Sequence, residues 1–87
     1  MPTVWIPAPL RTLTHQQDTV QVAGATVREV IDQLDARYAG IKARLVDGDN
    51  LRPGLAVAID AEVSRLGLEQ PVGDNSEVHF VTAIGGG

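Results

Sequence analysis

The stretch Thr26–Gly40, TVREVIDQLDARYAG, predicts one amphipathic helix and decides the fold. Thr26, followed three residues later by Glu29, forms a capping box, in which each side chain accepts a hydrogen bond from a backbone amide at the start of the helix. Apolar residues recur at helical spacing along one face, which is therefore expected to pack on a core. These residues are Val27, Val30, Ile31, Leu34 and Tyr38. Gly40 is expected to end the helix in the C′ position, where a left-handed backbone favours glycine.

Two strand patterns precede this helix. Alternation of apolar and polar residues predicts strands at Thr3–Ala8 and Thr19–Ala23, close enough in sequence to pair as an antiparallel hairpin. Pro7 and Pro9 are expected to end the first strand, because proline cannot donate a hydrogen bond to a strand ladder.

Shorter elements follow the helix. We expect a helical turn at Ile41–Val46, a loop at Asp47–Asn50 and a buried strand at Leu55–Ile59. A tight turn at Asp60–Glu62 leads into a short strand around Val63. The last strand, 77–82, alternates, so that Val78 and Phe80 face inward while His79 and Val81 face outward.

The predicted order ββ-α-ββ-β favours an α+β fold of the β-grasp type. One main helix packed across a small mixed sheet of four or five strands satisfies the requirement that each apolar face is buried in two layers. We expect residues 1–84 to form this single domain and residues 85–87 to form a flexible glycine tail.

Composition excludes several function classes. The chain has 87 residues and no cysteine, so it contains no disulfide, thiolate metal ligand or cysteine nucleophile. Its formal net charge of −4 argues against nucleic-acid binding and favours docking on a basic protein surface. No apolar run approaches the roughly 20 residues of a membrane-spanning helix. We therefore expect a soluble, cytoplasmic protein that binds neither nucleic acid nor membrane.

Candidate catalytic and metal-binding groups are few. His15 and His79 lie far apart in sequence without cysteine partners, so we predict no metal site. No phosphate-binding glycine motif is present. The acidic residues of the loops are interpreted as turn formers: Asp47, Asp49, Asp60 and Glu62. An enzyme with an active site of its own is not indicated.

The sequence closes with Ala83-Ile84-Gly85-Gly86-Gly87. Consecutive glycines are costly to order, and a tail without Cβ atoms fits into channels where side chains would clash. The α-carboxylate of Gly87 is the only reactive group that this tail offers. A frayed terminus or a leftover linker is the alternative interpretation.

Trp5 is the one aromatic residue with a possible recognition role. If Val4 and Ile6 point to the core, its indole lies on the opposite face of the sheet. The ring then either covers the sheet edge or forms a partner-docking patch with His79 and Val81, since exposed aromatic residues often anchor interfaces.

In the order of its elements and its glycine ending, the chain resembles the MoaD/ThiS family of ubiquitin-like sulfur carriers. The resemblance rests on Ile6-Pro7-x-x-Leu10-Arg11, on Thr26-Val27-x-x-Val30-Ile31-x-x-Leu34, and on Val78-x-Phe80-x-x-Ala83-Ile84-Gly85-Gly86-Gly87. The opening motif, together with Tyr38-Ala39-Gly40-Ile41, is most similar to the branch that feeds sulfur to cysteine synthesis. Thr82 departs from the family pattern, in which a proline is expected.

The resemblance implies a function for the tail. A ubiquitin-activating-type adenylating enzyme would use ATP to adenylate the Gly87 carboxylate, and a sulfur donor enzyme would then displace AMP to leave a thiocarboxylate. Gly85 and Gly86 would carry this group into the active site of a sulfur-accepting synthase in cysteine, molybdopterin or thiamin thiazole synthesis. The chain itself would bind no cofactor and would be a cosubstrate rather than an enzyme.

Two other functions remain open from the sequence. A protein modifier would use the same activated Gly87 but would be joined to lysines of target proteins. A plain β-grasp interaction domain would bind partners through Trp5 and would not need its terminal glycines.

Overall fold

The computed structural model of the chain describes residues 1–82. Its helices are α1 (Val27–Arg37) and α2 (Ile41–Leu45). Its strands are β1 (Thr3–Trp5), β2 (Thr19–Gln21), β3 (Val46–Asp47), β4 (Asn50–Leu51), β5 (Leu55–Ile59), β6 (Glu62–Val63) and β7 (Glu77–Thr82). Single 3₁₀ turns occupy Ala8–Leu10 and Gly67–Glu69. The predicted boundary at residue 84 lies outside the described residues.

Five strands form one mixed sheet in the order β2-β1-β7-β5-β6. The predicted hairpin is confirmed, because β1 pairs antiparallel with β2, and Val4 lies opposite Val20. On its other side β1 pairs parallel with β7, and Val4 also lies opposite Val78. The remaining pairs, β5 with β7 and β5 with β6, are antiparallel. The first and last strands of the described chain therefore meet at the centre of the sheet, as in the expected β-grasp fold.

Helix α1 begins as its capping box predicts. The Thr26 hydroxyl accepts a hydrogen bond from the Glu29 amide at 3.3 Å. The Glu29 carboxylate accepts one from the Ala25 amide at 3.1 Å, one residue before the cap. The predicted apolar face is also confirmed: Val27, Val30, Ile31 and Leu34 are buried, and Tyr38 packs partly buried against them.

The end of α1 differs from the prediction for Gly40. The helix ends at Arg37 with Tyr38 as its C-cap, so Gly40 stands one residue beyond the C′ position and acts instead as the N-cap of α2. Its φ of 99° still requires the conformational freedom of glycine. A second helix can follow at once because Asp35 Oδ1 accepts hydrogen bonds from the amides of Gly40 (3.0 Å) and Lys42 (3.1 Å).

Both helices cover one face of the sheet and enclose the core. Ile41 and Leu45 of α2 are buried beside α1. Val57 of β5 and Val78 of β7 are fully buried beneath them. Gly24 lets the connection from β2 pass close to α1, because a Cβ atom at this position would lie 2.8 Å from the Val30 amide nitrogen.

Three local predictions were wrong at their boundaries. β1 ends at Trp5 rather than at residue 8, although Ile6 remains buried and its amide donates to the Asp18 carbonyl at 2.8 Å. β2 ends at Gln21 rather than at residue 23. The expected loop 47–50 is largely a hairpin, in which Asp47 of β3 lies opposite Asn50 of β4. Gly48, with a φ of 66°, permits the tight turn that joins them.

Within residues 1–82, neither helix is both long and apolar enough to cross a membrane.

Candidate functional site

The outer face of the sheet, opposite the helices, carries an aromatic pair. Trp5 of β1 and His79 of β7 are direct partners across the two parallel strands. Their ring centroids are 5.2 Å apart and their planes are inclined by only 12°, so the rings stack. The indole remains 38% exposed to solvent. β1 has a neighbouring strand on each side, so Trp5 covers the interior of this face. Its ring therefore does not cover a sheet edge, which was one of the two interpretations of the sequence.

Glu77 joins these rings into a cluster that sequence reasoning missed. The Trp5 indole Nε1 donates a hydrogen bond to Glu77 Oε1 at 3.0 Å. His79 Nε2 lies 3.8 Å from the same oxygen. We call this set the Trp5–Glu77–His79 cluster. Strand alternation places Glu77 on the same face as His79, and this signal could have found it.

Val81, the third predicted docking residue, lies on this face one strand repeat beyond His79. It is half-buried and stands opposite Ala56 of β5. Strand register places Trp5 beside His79, so Val81 lies two residues farther along β7 and extends the patch in that direction. The structure thus brings Trp5 and His79 into contact and leaves Val81 at the adjacent position.

A continuous row crosses all five strands at the level of the aromatic pair. Strand register places its members next to one another in the order Thr19, Trp5, His79, Ala58 and Val63. Four inter-strand spacings of roughly 4.8 Å give this row a length of about 19 Å. Val63, at the far end, is 65% exposed, and Leu66 shortly after it is 58% exposed. Neither residue was singled out from the sequence, because one exposed apolar side chain is an ordinary finding until the sheet order shows its neighbours.

No lysine or arginine occurs on the five strands of this sheet. The ionisable residues on these strands are Glu62, Glu77 and His79. All seven basic side chains lie on helices, turns or loops: Arg11, Arg28, Arg37, Lys42, Arg44, Arg52 and Arg65. Glu62 lies in register with Ile59 and the buried Val78, on the helix-facing side, so Glu77 is the carboxylate that these strands present on the outer face.

Two of the seven basic residues, both on helices, form ion pairs with carboxylates. Arg28 of α1 bonds Glu69 at 2.8 Å, and Lys42 of α2 bonds Asp32 at 2.6 Å. The hydrogen bonds that Arg28 donates to the Glu69 carboxylate raise the pKa of Arg28, against a smaller opposing effect of desolvation. These pairs are exposed, so they orient side chains more than they stabilise the fold.

The two histidines lie in different parts of the fold. His15 lies against Tyr38, with ring centroids 5.9 Å apart, whereas His79 lies against Trp5. Among the side chains of residues 1–82, no group of three or more carboxylates and imidazoles is arranged to hold a metal ion.

The predicted reactive tail, Gly85, Gly86 and Gly87, lies outside the described residues. Strand β7, which leads to it, lies between β1 and β5 and carries His79 and Val81 of the outer face. Residues 83–87 follow Thr82, and a fully extended chain of five residues spans at most roughly 18 Å. Covalent geometry therefore keeps Gly87 within that distance of the end of β7.

A five-stranded mixed sheet with parallel first and last strands, one main helix across it and a glycine-rich ending define a ubiquitin-like β-grasp protein. Residues 4–87 match the model of the ThiS family. The chain belongs to this family, and the resemblance drawn from its motifs is confirmed.

Individual relatives agree with this assignment. The chain is 34% identical to the sulfur carrier protein CysO of Mycobacterium tuberculosis over 90 residues, which cover 98% of this chain and 97% of that protein. A crystal structure of the BexX/CysO complex of Amycolatopsis orientalis matches with a TM-score of 0.91 and 42% identity, with both chains fully covered. The crystal structure of M. tuberculosis CysO matches with a TM-score of 0.87 and 32% identity, covering 97% of this chain and 100% of that one.

Proposed function

We propose that this chain is a sulfur carrier whose Gly87 carboxylate is adenylated and converted to a thiocarboxylate. The observation that supports the proposal is the family match, which extends through Gly87, together with relatives named sulfur carrier proteins along nearly the whole chain. The resemblance of its opening motif to the cysteine-synthesis branch, and the CysO name of these relatives, favour cysteine synthesis as the receiving pathway.

The proposed chemistry takes place at the C-terminal carbonyl carbon. A Gly87 carboxylate oxygen attacks the α-phosphorus of ATP on an adenylating enzyme, and pyrophosphate leaves. A hydrosulfide ion supplied by a donor enzyme then attacks the carbonyl carbon of the acyl-adenylate, the carbon–oxygen bond to AMP breaks, and loss of the S–H proton leaves a thiocarboxylate. Its sulfur is the nucleophile that a synthase uses. The carrier supplies the thiocarboxylate and brings it to the synthase, and the partner enzymes catalyse the reactions.

The outer sheet face is proposed as the surface on which these partners dock. A tail of glycines loses much conformational entropy when it is ordered, so the globular domain must supply binding free energy. Trp5, His79 and Val81 offer an exposed, largely apolar patch on the strand that leads to the tail. Aromatic residues in such patches commonly anchor protein interfaces.

The BexX/CysO complex gives a precedent for a partner protein, in that a chain 42% identical to this one forms a complex. We propose an adenylating enzyme, a sulfur donor and a sulfur-accepting synthase as the partner classes here. A cytoplasmic location stays a prediction.

The decisive experiment is the intact mass of the protein isolated from its own host, before and after treatment with a thiol-alkylating reagent. We expect a species in which sulfur replaces one oxygen, and an alkyl adduct that fragmentation assigns to Gly87. The chain has no cysteine, so an adduct of this kind reports the thiocarboxylate. Unmodified Gly87 under all growth conditions, including sulfur limitation, would contradict the proposal.

The protein-modifier alternative is not favoured by any observation on residues 1–82 or by the names of these relatives. It predicts an amide between Gly87 and lysines of other proteins. Tryptic digestion of host proteins would leave residues 66–87 attached to those lysines, because Arg65 is the last basic residue of the chain.

A further inference from the structure

A small notch opens beside the Trp5–Glu77–His79 cluster. It is lined by Asp60, Ala61, Glu77 and His79 and has a volume of about 310 Å³. Sites for small-molecule ligands occupy roughly 300–1,000 Å³ and are mostly apolar. This notch is at the lower limit of that range and carries two carboxylates, so it suits a single polar side chain better than a cofactor.

The two carboxylates of the notch are held in place. The Asp60 amide donates to the Glu77 carbonyl at 3.0 Å, and the Glu77 amide donates to Asp60 Oδ1 at 2.9 Å. This reciprocal pair fixes the turn after β5 to the first residue of β7. The indole of Trp5 then orients the Glu77 carboxylate through the bond to Oε1. Preorganised groups of this kind lose less entropy when a partner binds.

The acceptor capacity of Glu77 is only partly used. A carboxylate presents about four lone-pair sites, and the indole N–H takes one of them. No lysine or arginine of the sheet strands competes for the rest. A cation from another molecule therefore meets an acidic, aromatic recess between strands that carry no lysine or arginine. The nearest basic side chain along the chain is Arg65, which lines the neighbouring recess together with Asp60.

We propose that this notch receives an arginine side chain of a partner protein that docks on the outer face. A guanidinium can bond a carboxylate with two parallel N–H groups, and its plane stacks on aromatic rings. Glu77 supplies the first contact, and the ring of His79, which lines the notch, supplies the second. An ammonium would satisfy the charge but not the planar contact. This inference rests on the proposed docking face and specifies the chemistry of its partner.

Apolar side chains lie on the same face as the notch that receives the arginine. Val63 lies in the same cross-strand row as Trp5 and His79, and its side chain is largely exposed. A partner surface complementary to this face therefore carries one guanidinium next to apolar side chains. The net charge of −4 adds long-range attraction for such a basic partner.

The test uses short blocked peptides as probes and the full chain labelled with ¹⁵N. Acetyl-Leu-Arg-Leu-amide is titrated, and acetyl-Leu-Lys-Leu-amide and acetyl-Leu-Glu-Leu-amide are compared with it. The chain has one tryptophan, so a single indole N–H signal reports the cluster directly. We expect the arginine peptide to shift this signal and the amides of Asp60, Ala61 and His79. The lysine peptide should bind more weakly, and the glutamate peptide should leave these signals unchanged.

Two matched variants separate a specific site from general charge attraction. Glu77→Gln should weaken binding of the arginine peptide about threefold to tenfold. Asp47→Asn removes the same charge from the β3–β4 hairpin and should leave the affinity unchanged. Unfolding midpoints and spectra away from the cluster establish that both variants keep the fold.

Equal weakening by both variants, shifts spread over the helical layer, or equal binding of the lysine and arginine peptides would overturn the inference. These outcomes leave the thiocarboxylate at Gly87 unaffected, because the mass measurement does not depend on the notch. Loss of the thiocarboxylate with retained peptide binding would in turn contradict the carrier function and not the arginine site.

Discussion

Trp5 and His79 lie opposite each other on two parallel strands, and their rings stack at a centroid distance of 5.2 Å. The two residues are far apart in the chain, yet they form the centre of the outer face. Aromatic pairs of this kind contribute roughly 0.5–1.5 kcal/mol beyond the area that they bury. The stack is therefore expected to fix the position of the indole that the docking face presents.

Removal of the imidazole should expose Trp5. In His79→Ala, we expect the rate of acrylamide quenching of the single tryptophan to rise and its emission to shift to longer wavelength, because one ring face loses its cover. Val81→Ala shortens a side chain on the same strand and face and serves as the control. Equal quenching of His79→Ala and the unchanged protein would contradict the stacked geometry.

The buried face of α1 should be sensitive to truncation. Leu34 is fully buried, so Leu34→Ala is expected to lower the free energy of unfolding by about 2–5 kcal/mol. Gln33→Ala, at the adjacent exposed position, should change it by less than about 0.5 kcal/mol. Urea denaturation measures both variants. A small effect at Leu34 would show that the helix does not pack as described.

The helix cap at Thr26 gives a smaller and more specific effect. Thr26→Ala removes the acceptor for the Glu29 amide and should cost about 1 kcal/mol of stability. Thr26→Ser keeps the hydroxyl and should restore most of that loss. If thermal unfolding showed the two variants to be equally destabilised, the hydroxyl would not be the stabilising group.

The turn that borders the notch holds two non-glycine residues in left-handed backbone conformations. Ala61 has a φ of 73°, which costs a residue with a Cβ atom roughly 1–2 kcal/mol. Ala61→Gly removes this strain but adds chain entropy to the unfolded state, so a net stabilisation of a few tenths to about 1 kcal/mol is expected.

Replacement of alanine by glycine within a helix should change the stability in the opposite direction. Ala43 is exposed within α2, and Ala43→Gly is expected to destabilise the protein by about 0.5–1 kcal/mol. Chemical denaturation of the pair tests the assignment. Destabilisation by both changes would mean that the strain at Ala61 is compensated by contacts of its methyl group.

The proposed carrier function predicts that deletion of Gly87 abolishes thiocarboxylate formation while stability changes little. The remaining chain would still end in glycine, so this variant tests the length of the tail as well as its chemistry. Mass spectrometry of the truncated protein from its host gives the readout, and Trp5→Ala with an intact tail provides a comparison that affects the docking face. Normal thiocarboxylate formation by the truncated protein would contradict the mechanism.

Local signals predicted much of the fold because they act between near neighbours. The Thr26 and Glu29 cap, the spacing of Val27 to Leu34 and the alternation along β7 each appear in the structure as expected. Strand ends were predicted less well, since the pairing of residues such as Gln21 depends on the partner strand. The β3–β4 hairpin was missed because its strands contain only two residues each, too few to show a period.

The residues of the candidate site also divide into those that the sequence predicted and those that only the structure revealed. Gly87 and its tail were proposed from the sequence and lie outside the described residues, so this part of the site stays a prediction. Trp5 and His79 were proposed as members of one patch, and the structure confirms their contact. Glu77 and the notch at Asp60 and Ala61 emerged only from the structure, because they depend on hydrogen bonds between residues far apart in the chain.

The sequence by itself determined the main helix and the order of the principal strands, which follow from periodicity and capping. The resemblance of its motifs indicated the family, and the reactive terminus at Gly87 stays a prediction. The tertiary structure decided that β1 pairs parallel with β7, and this pairing places Trp5 against Glu77 and His79. A parallel pair between the first and last strands has no local signal, because its hydrogen bonds join residues at opposite ends of the chain, such as those near Thr3 and Glu77.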